Sequence, residues 1–374
     1  MTAVPPEQTP GAASPGEAAA IDLLASEHST NLPAIFEQLG LSLLVTTYQA
    51  GKLVAVRRDG ERLNTHFRHF AKPMGLAADA TRFTLGTSRE IVEYHNLPAV
   101  AAQIEPRGHH DACYIPRSVH VTGDIDIHEM GYGQNGELWL INTRFSCLCT
   151  LDGRSSFVPR WRPDFVGGLA AEDRCHLNGL GMVNGMPRFV TALGVSDQAA
   201  GWRPEKAHGG VLMDLSSNRI VCQGLSMPHS PRWYMDQLWV LESGRGSLAR
   251  VDPASGKWTT VIELPGFTRG LDFFGPLAFI GLSQIRESAT FGGLPLTERL
   301  TERNCGVWVV NIITGALVGF LRFKSGVQEI FAVNVLPGTR YPDILEPDDP
   351  LVASSYALPE QALRDLAPAT PGGR

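Results

Sequence analysis

No segment of the 374-residue chain approaches the roughly 18 consecutive apolar residues of a membrane-spanning helix. The opening stretch, MTAVPPEQTPGAASPGEAAA, has neither the basic start nor the apolar middle of a secretory leader. The expectation is a soluble, cytoplasmic protein with no membrane partner. Cysteine is sparse: Cys113, Cys147, Cys149, Cys175, Cys222 and Cys305 are irregularly spaced, which excludes a disulfide framework and fits reduced thiols. Basic charge is not in excess either, since 32 Lys and Arg against 38 Asp and Glu leave a net charge of −6, so nucleic acid is not an expected partner. Glycine-rich phosphate loops, nucleophile elbows and HExxH helices are absent as well, which removes the simplest routes to nucleotide, serine-hydrolase and metalloprotease chemistry.

What the chain does have is a repeat. A short apolar strand opens on a polar residue, turns, and is followed by a second strand that ends in a polar loop. The clear copies are IHEMGYGQNGELWLINTRFS from Ile127, HLNGLGMVNGMPRFVTALG from His176, HSPRWYMDQLWVLESGRGS from His229 and RGLDFFGPLAFIGLSQIRES from Arg269. MGLAADATRFTLGTSRE from Met74 is weaker, and QEIFAVNVLPG from Gln328 holds only a first strand. With Met74, Glu129, Asn178, Ser230, Arg269 and Glu329 as equivalents, the period is about 40 to 60 residues, the range of four-stranded propeller blades.

The missing second strand has a donor in LSLLVTTYQAGKLVAVRRDG from Leu41, which reads as strand, loop and strand with nothing before it to serve as an inner strand. Pairing of that segment with the last inner strand closes an all-β, six-bladed β-propeller and leaves no open sheet edge. Residues 1–20 are then a disordered Pro/Ala/Gly/Glu tail. Residues 21–40 form a short helical segment broken at Pro33, 41–340 the propeller, and 341–374 an extension with a short helix from about Pro359.

In a propeller, the start of each inner strand and the loop after each second strand share one rim of the axial funnel. Those loops are TYQAG, TSRE, NTRFS, ALGVSD, ESGRGS and SQIRES, and four carry an arginine at nearly the same place: Arg89, Arg144, Arg245 and Arg286. Arg269 opens an inner strand and Arg232 lies just inside another. Guanidinium forks match carboxylates and phosphates bidentately, so one reading is an anion pocket. The structural alternative is that each arginine pairs with an acid such as Glu90, Glu242, Asp272 or Glu287 and locks the ring. Asn142, Asn178, Glu242, Gln284 and Glu329 occupy the same rim and join Arg144, Arg232, Arg245, Arg269 and Arg286 as candidate ligand-binding residues.

His128, His176 and His229 open three successive inner strands. Three imidazoles around an axis suit a divalent transition metal with an open position. In that reading Glu129 or Asp126 orients a ligand or acts as a base, His176 doubles as a catalytic group, and Glu129 or Asp272 assists. The competing reading has strand alternation turning some of these rings away, since His128 and Glu129 cannot both face the axis of a regular strand. RGHHDACYIPR from Arg107 is open to two readings, a lid over the funnel or a ligand-bearing loop. A second insertion, from Glu287 to Asn304, reads as a loop and short helix over the rim.

The runs VTGDIDIHEMGYG, NTRFSCLCTLD, RCHLNGLGMVNG, GLSMPHSPRW, LWVLESGRGSL, PGFTRGLDF, GLSQIRES and GVQEIFAVNVLPGTRYP, spread over nearly all of residues 35–345, resemble a family of uncharacterised bacterial propeller-type proteins. That resemblance implies the fold and brings no activity. More distantly, HLNGLGMVNGMPRFVTAL is similar to the blade motif of gluconolactonase and strictosidine-synthase-like six-bladed propellers, which would make Asn178 a cation ligand and Glu129 a second. Ser230 and Arg269 depart from that pattern, because a calcium site wants further oxygens at those places and an arginine opposes a cation. The expectation is therefore an Arg- and His-lined funnel that binds, and with metal assistance in one version transforms, a small anionic metabolite or peptide end. A non-catalytic scaffold that holds a protein partner on the same face is the alternative.

Overall fold

A computed structural model describes residues 23–285 and 292–366. Its strands form six antiparallel sheets, each with four strands running outward from the axis, and two sheets carry a fifth strand on the outside. The inner strands are Ala332–Pro337, Leu76–Ala78, Ile127–Tyr132, Leu177–Val183, Pro228–Tyr234 and Phe267–Phe274, here numbered as blades one to six. The ring closes as expected: Leu41–Thr46 pairs with Ala332–Pro337 in antiparallel register from Leu41 opposite Pro337 to Thr46 opposite Ala332. All six residues of Leu41–Thr46 are buried, because this strand sits between two others and between neighbouring blades.

Local sequence explains why the blades repeat. In blades three to six the turn between third and fourth strands begins with an Asp or Asn whose side chain accepts the backbone N–H two residues on. Asp152 takes Arg154, Asp214 takes Ser216, Asp252 takes Ala254 and Asn311 takes Ile313, all at 2.8–3.0 Å. Such side chains close a turn without help from elsewhere in the fold. Between blades, apolar residues from facing sheets interlock; Leu180 and Val190 of blade four, for instance, pack with Ile141 and Leu148 of blade three. All six cysteines are buried and free, and Cys147 and Cys149 lie 3.4 Å apart, sulfur to sulfur, within the blade core.

Both ends of the chain depart from expectation. Pro33 does not break a helix but begins one: it lies in the first turn of Leu32–Leu39, where a missing N–H costs nothing, and Gly40 ends the helix in a left-handed conformation. Ahead of it, Ser26–His28 adds a fifth strand to blade six. Pro342–Ile344, expected to lie past the last strand, pairs in parallel with Ala112–Tyr114 on the outside of blade two. The helix expected from about Pro359 is present as Glu360–Asp365, while the tail of residues 1–20 lies outside the described residues.

The HHDAC segment is fixed on that outer edge and is no lid. Asp111 accepts the N–H groups of Arg340 and Tyr341 at 2.6 and 2.8 Å, which fastens the returning C-terminal strand. Asp343 of that strand meets His66 at 2.9 Å, Arg68 at 3.3 Å and His110 at 3.6 Å, bridging blades one and two. No helix among the described residues is long and apolar enough to cross a membrane.

Candidate functional site

Each inner strand of blades three to six is interrupted near its start. The register slips opposite His128 and Glu129, at Asn178, opposite Ser230 and Pro231, and opposite Arg269 and Gly270. These are β-bulges, which re-aim side chains at a ring's rim and suspend strict alternation. Ser230 and Gly270 take left-handed φ values of 50° and 77° to do so. His128 and Glu129 are thereby freed from opposite faces, and four of the positions aligned in sequence, Glu129, Asn178, Ser230 and Arg269, fall in the four bulges.

Two layers result. The outer layer is a cavity of about 240 Å³ at the mouth of the axis. His128, His176 and His229 all line it, together with Arg269 and Glu329. Asp126, an expected helper of the histidines, lines it too, next to three residues that the sequence reading did not single out: Trp202, Arg203 and Phe331. Trp202 and Arg203 come from the long loop after the second strand of blade four. Leu294 and Leu296 of the second insertion pack behind Trp202, Met227 and Phe267, so that insertion buttresses the wall.

Every imidazole is held by Nδ1. His128 Nδ1 lies 2.9 Å from the Asp126 carbonyl and 2.7 Å from Thr143 Oγ1, whose hydroxyl donates to the Leu177 carbonyl at 2.6 Å. His229 Nδ1 lies 2.9 Å from both the Met227 carbonyl and Ser243 Oγ. A carbonyl only accepts, so Nδ1 carries the proton in both rings and Nε2 is a bare acceptor when the ring is neutral. Burial, reinforced by the Arg269 charge, holds both imidazoles well below their ordinary pKa and keeps them neutral. His176 differs, since its Nδ1 faces both oxygens of Asp173 at 3.0 Å, and Trp202 Nε1 donates to the same carboxylate at 3.0 Å. The Nε2 atoms of all three rings lack a hydrogen-bond partner among the described residues; that of His128 is also fully buried.

Arg269 is the charged centre of this layer. Its guanidinium lies 3.6 Å above the centre of the Phe331 ring, and among the described residues it makes no hydrogen bond or ion pair. Burial lowers its pKa to about 10, opposed by the charges of Glu329 and Asp126, so it stays cationic at neutral pH. For Asp126 burial acts the other way, yet its surroundings, with the Lys72 and Arg269 charges among them, hold its carboxyl below the ordinary range.

The inner layer is a lock. Arg232 donates to both oxygens of Glu129 at 2.9 and 3.2 Å, to the Leu180 carbonyl at 3.0 Å and to the Leu271 carbonyl at 3.0 Å, so one side chain ties blade five to blades three, four and six. Glu129 also accepts the Leu180 N–H at 2.7 Å. Asp272, whose carboxyl burial pushes upward, accepts Val335 N–H across the seam to blade one at 2.8 Å. Asn178 is spent in the same way, donating to the Pro228 carbonyl at 3.0 Å and accepting from Thr191 at 2.6 Å.

The remaining candidates sit apart from the cavity. Arg144 pairs with Asp124 at 2.6 Å on the rim, and Arg245 with buried Glu242 at 3.2 Å, while Glu242 also accepts from Trp258. Asn142 accepts the Phe145 N–H at 3.0 Å and shapes its own loop. Gln284 donates its backbone N–H to the Gln328 carbonyl. Arg286 lies outside the described residues. Of the arginines picked from sequence and described here, Arg269 alone lines the cavity.

A divalent metal fits this donor set poorly. Among the described residues no group of three His, Cys, Asp or Glu side chains is placed to share an ion. The histidines also face a guanidinium, whose charge works against a second cation.

The fold is similar to that of solved propellers of very different sequence. A chain from a nidogen/laminin complex superposes with a TM-score of 0.52 at 11% identity, covering 80% of this chain and all of that one. A Bacteroides caccae protein of unknown function superposes at 0.50 with 9% identity, covering 79% and 98%. These likenesses support the fold and nothing beyond it. No curated protein matches in sequence. The family model that does match covers the whole ring, from the helix that precedes closure to the strand that returns onto blade two. Over residues 30–345 the chain belongs to the family described as Domain of unknown function (DUF4915).

Proposed function

We propose that the funnel is the binding site for a small organic anion, whose charged group sits on Arg269. The observation that carries this reading is a cationic fork lining a cavity with no acceptor of its own among the described residues. Arg144, Arg232 and Arg245 each have a carboxylate partner, and Arg89 is exposed to solvent. A half-buried guanidinium without such a partner loses part of its hydration with nothing in return unless a ligand supplies the acceptor. The unpaired Nε2 atoms then meet hydrogen-bond donors of the same ligand.

Proton transfer to or from that ligand falls to His176. A carboxylate behind Nδ1 fixes the orientation of an imidazole and leaves Nε2 facing the cavity, which is the arrangement of a general acid or base. Glu129 and Asp272 have no part in this reading, because their oxygens serve the lock.

Thermal melting of the full chain against a library of carboxylates, phosphates, sulfonates and neutral analogues tests the proposal. At least one anion should raise the melting temperature of the wild type by several degrees and leave Arg269→Gln unmoved. Stabilisation that survives in Arg269→Gln, or none by any anion, refutes it.

A further inference from the structure

We infer that the anion is the monocarboxylate of an aromatic compound; this rests on the reading of the funnel as an anion site and narrows it. Three features on the cavity wall point there. First, Tyr48, Trp202, Phe267 and Phe331 line it together with Met74 and Met227, so most of the surface beyond Arg269 offers ring faces and soft apolar groups. Tyr48 stacks on Phe331 with centroids 5.9 Å apart, and Phe331 carries Arg269 on its face, which makes one continuous aromatic and cationic wall. Such walls favour a flat ring through offset or edge contacts.

Second, the size suits a ring with a short acidic arm. An apolar cavity of about 150 Å³ holds benzene, and this one is about 240 Å³. Third, the charges suit one negative charge rather than two. Of the two cations on the wall, Arg203 is exposed and stands over the Trp202 ring, so Arg269 is the one that is not exposed and has no acceptor among the described residues, and Asp126 and Glu329 share the wall. The neutral His229 presents a lone pair at Nε2, since its Nδ1–H is taken by the Met227 carbonyl. A phosphate dianion, all acceptors, would set its oxygens against those carboxylates and that lone pair. A carboxylate needs only the guanidinium fork, and a hydroxyl elsewhere on the ring gives Nε2 its donor.

Calorimetric titration of the full chain at pH 7 with phenylacetate, 4-hydroxyphenylacetate, acetate and inorganic phosphate decides the matter. Phenylacetate and 4-hydroxyphenylacetate should bind at least tenfold more tightly than acetate or phosphate. Arg269→Gln should abolish binding, and Tyr48→Leu, on a partly exposed wall position, should weaken the aromatic acids about tenfold while leaving acetate unchanged. Arg269→Lys, which keeps the charge without the fork, guards against a misfolded Gln variant and should fall between. Acetate or phosphate binding as tightly as phenylacetate overturns the aromatic monocarboxylate and leaves the anion site standing. Aromatic acids that bind Arg269→Gln undiminished, or that fail to bind the wild type, overturn the inference; the anion library then shows whether the broader reading falls with it.

Discussion

Asp343 offers a stability test whose size can be worked from the structure. Its carboxylate bridges the returning C-terminal strand to His66 and Arg68 of blade one, and one oxygen accepts the Ile344 N–H at 2.7 Å. Burial alone would raise its pKa, but the His66 hydrogen bond and charge, the Ile344 amide and Arg68 outweigh it and pull the value from 3.8 to about 2. At about 1.4 kcal/mol per pH unit this is roughly 2 kcal/mol of folded-state preference for the ionised form. A pKa depressed by folding stabilises above the unfolded value and stops doing so as pH falls through the folded one. The contribution should therefore be complete at pH 7, shrink between about pH 4 and pH 2, and vanish below.

Asp343→Asn keeps the shape and removes the charge. Urea unfolding should show the variant roughly 2 kcal/mol less stable at pH 7, with the gap closing by pH 2. Hydrogen exchange should place the damage locally, with the Ile344 and Leu345 amides exchanging faster while the inner strands stay protected. A gap below about 0.5 kcal/mol at pH 7, within the range of an ordinary surface substitution, would refute the reasoning. So would a gap that persists unchanged at pH 2, because the effect would then not be electrostatic.

Glu129→Gln leaves the Arg232 guanidinium across the axis without its counter-charge, and urea unfolding should register a loss of about 3 kcal/mol. Joining it with Arg232→Met should recover much of that loss, and a double variant as unstable as the sum of the two would argue against a coupled pair. Gly270→Ala puts a Cβ 2.7 Å from the Val333 nitrogen at a φ of 77°. It should cost about 1–3 kcal/mol and blunt the anion response by moving Arg269; unchanged melting and binding would show the bulge to be dispensable.

The architecture was legible in sequence because repetition amplifies weak local signals. One hairpin such as MGLAADATRFTLG says little, but six copies at a common period leave few alternatives, and the blade without a second strand pointed to Leu41–Thr46. The ends were read less well for the same reason. Ser26–His28 and Pro342–Ile344 are three-residue strands with no repeat to support them. They form only because a finished blade offers an open outer edge, a tertiary cause invisible in a short segment.

For the site, position along the blade predicted the rim but not the direction of each side chain. His128, His176, His229 and Arg269 reach the cavity, whereas Arg144 and Arg245, equally well placed in sequence, turn to Asp124 and Glu242. Spacing does not separate them: Asp272 stands three residues from Arg269, as Glu242 does from Arg245, but the Asp272 carboxylate accepts the Val335 N–H instead, beyond the bulge at Arg269 and Gly270. Trp202 was missed because it lies well inside a loop with no strand pattern, and Asp173 because it precedes His176 in an irregular turn.

The division into two layers follows from the bulges. A regular inner strand presents one residue in two to the axis, too few to supply both a lock and a ligand site at the narrow end of a ring. By adding a residue to blades three to six, the chain obtains a lower tier, in which Glu129 and Arg232 pair across the axis while Asp272 and Asn178 bond to backbone groups of neighbouring blades. The upper tier is thereby relieved of structural duty. A funnel whose charges also held the ring together could not leave a guanidinium and three imidazole nitrogens without partners. That these groups lack partners among the described residues while the tier below is engaged is why the candidate site lies with Arg269 and the histidines, and why exchanging Glu129 for another acid-pairing scheme should alter stability before it alters binding.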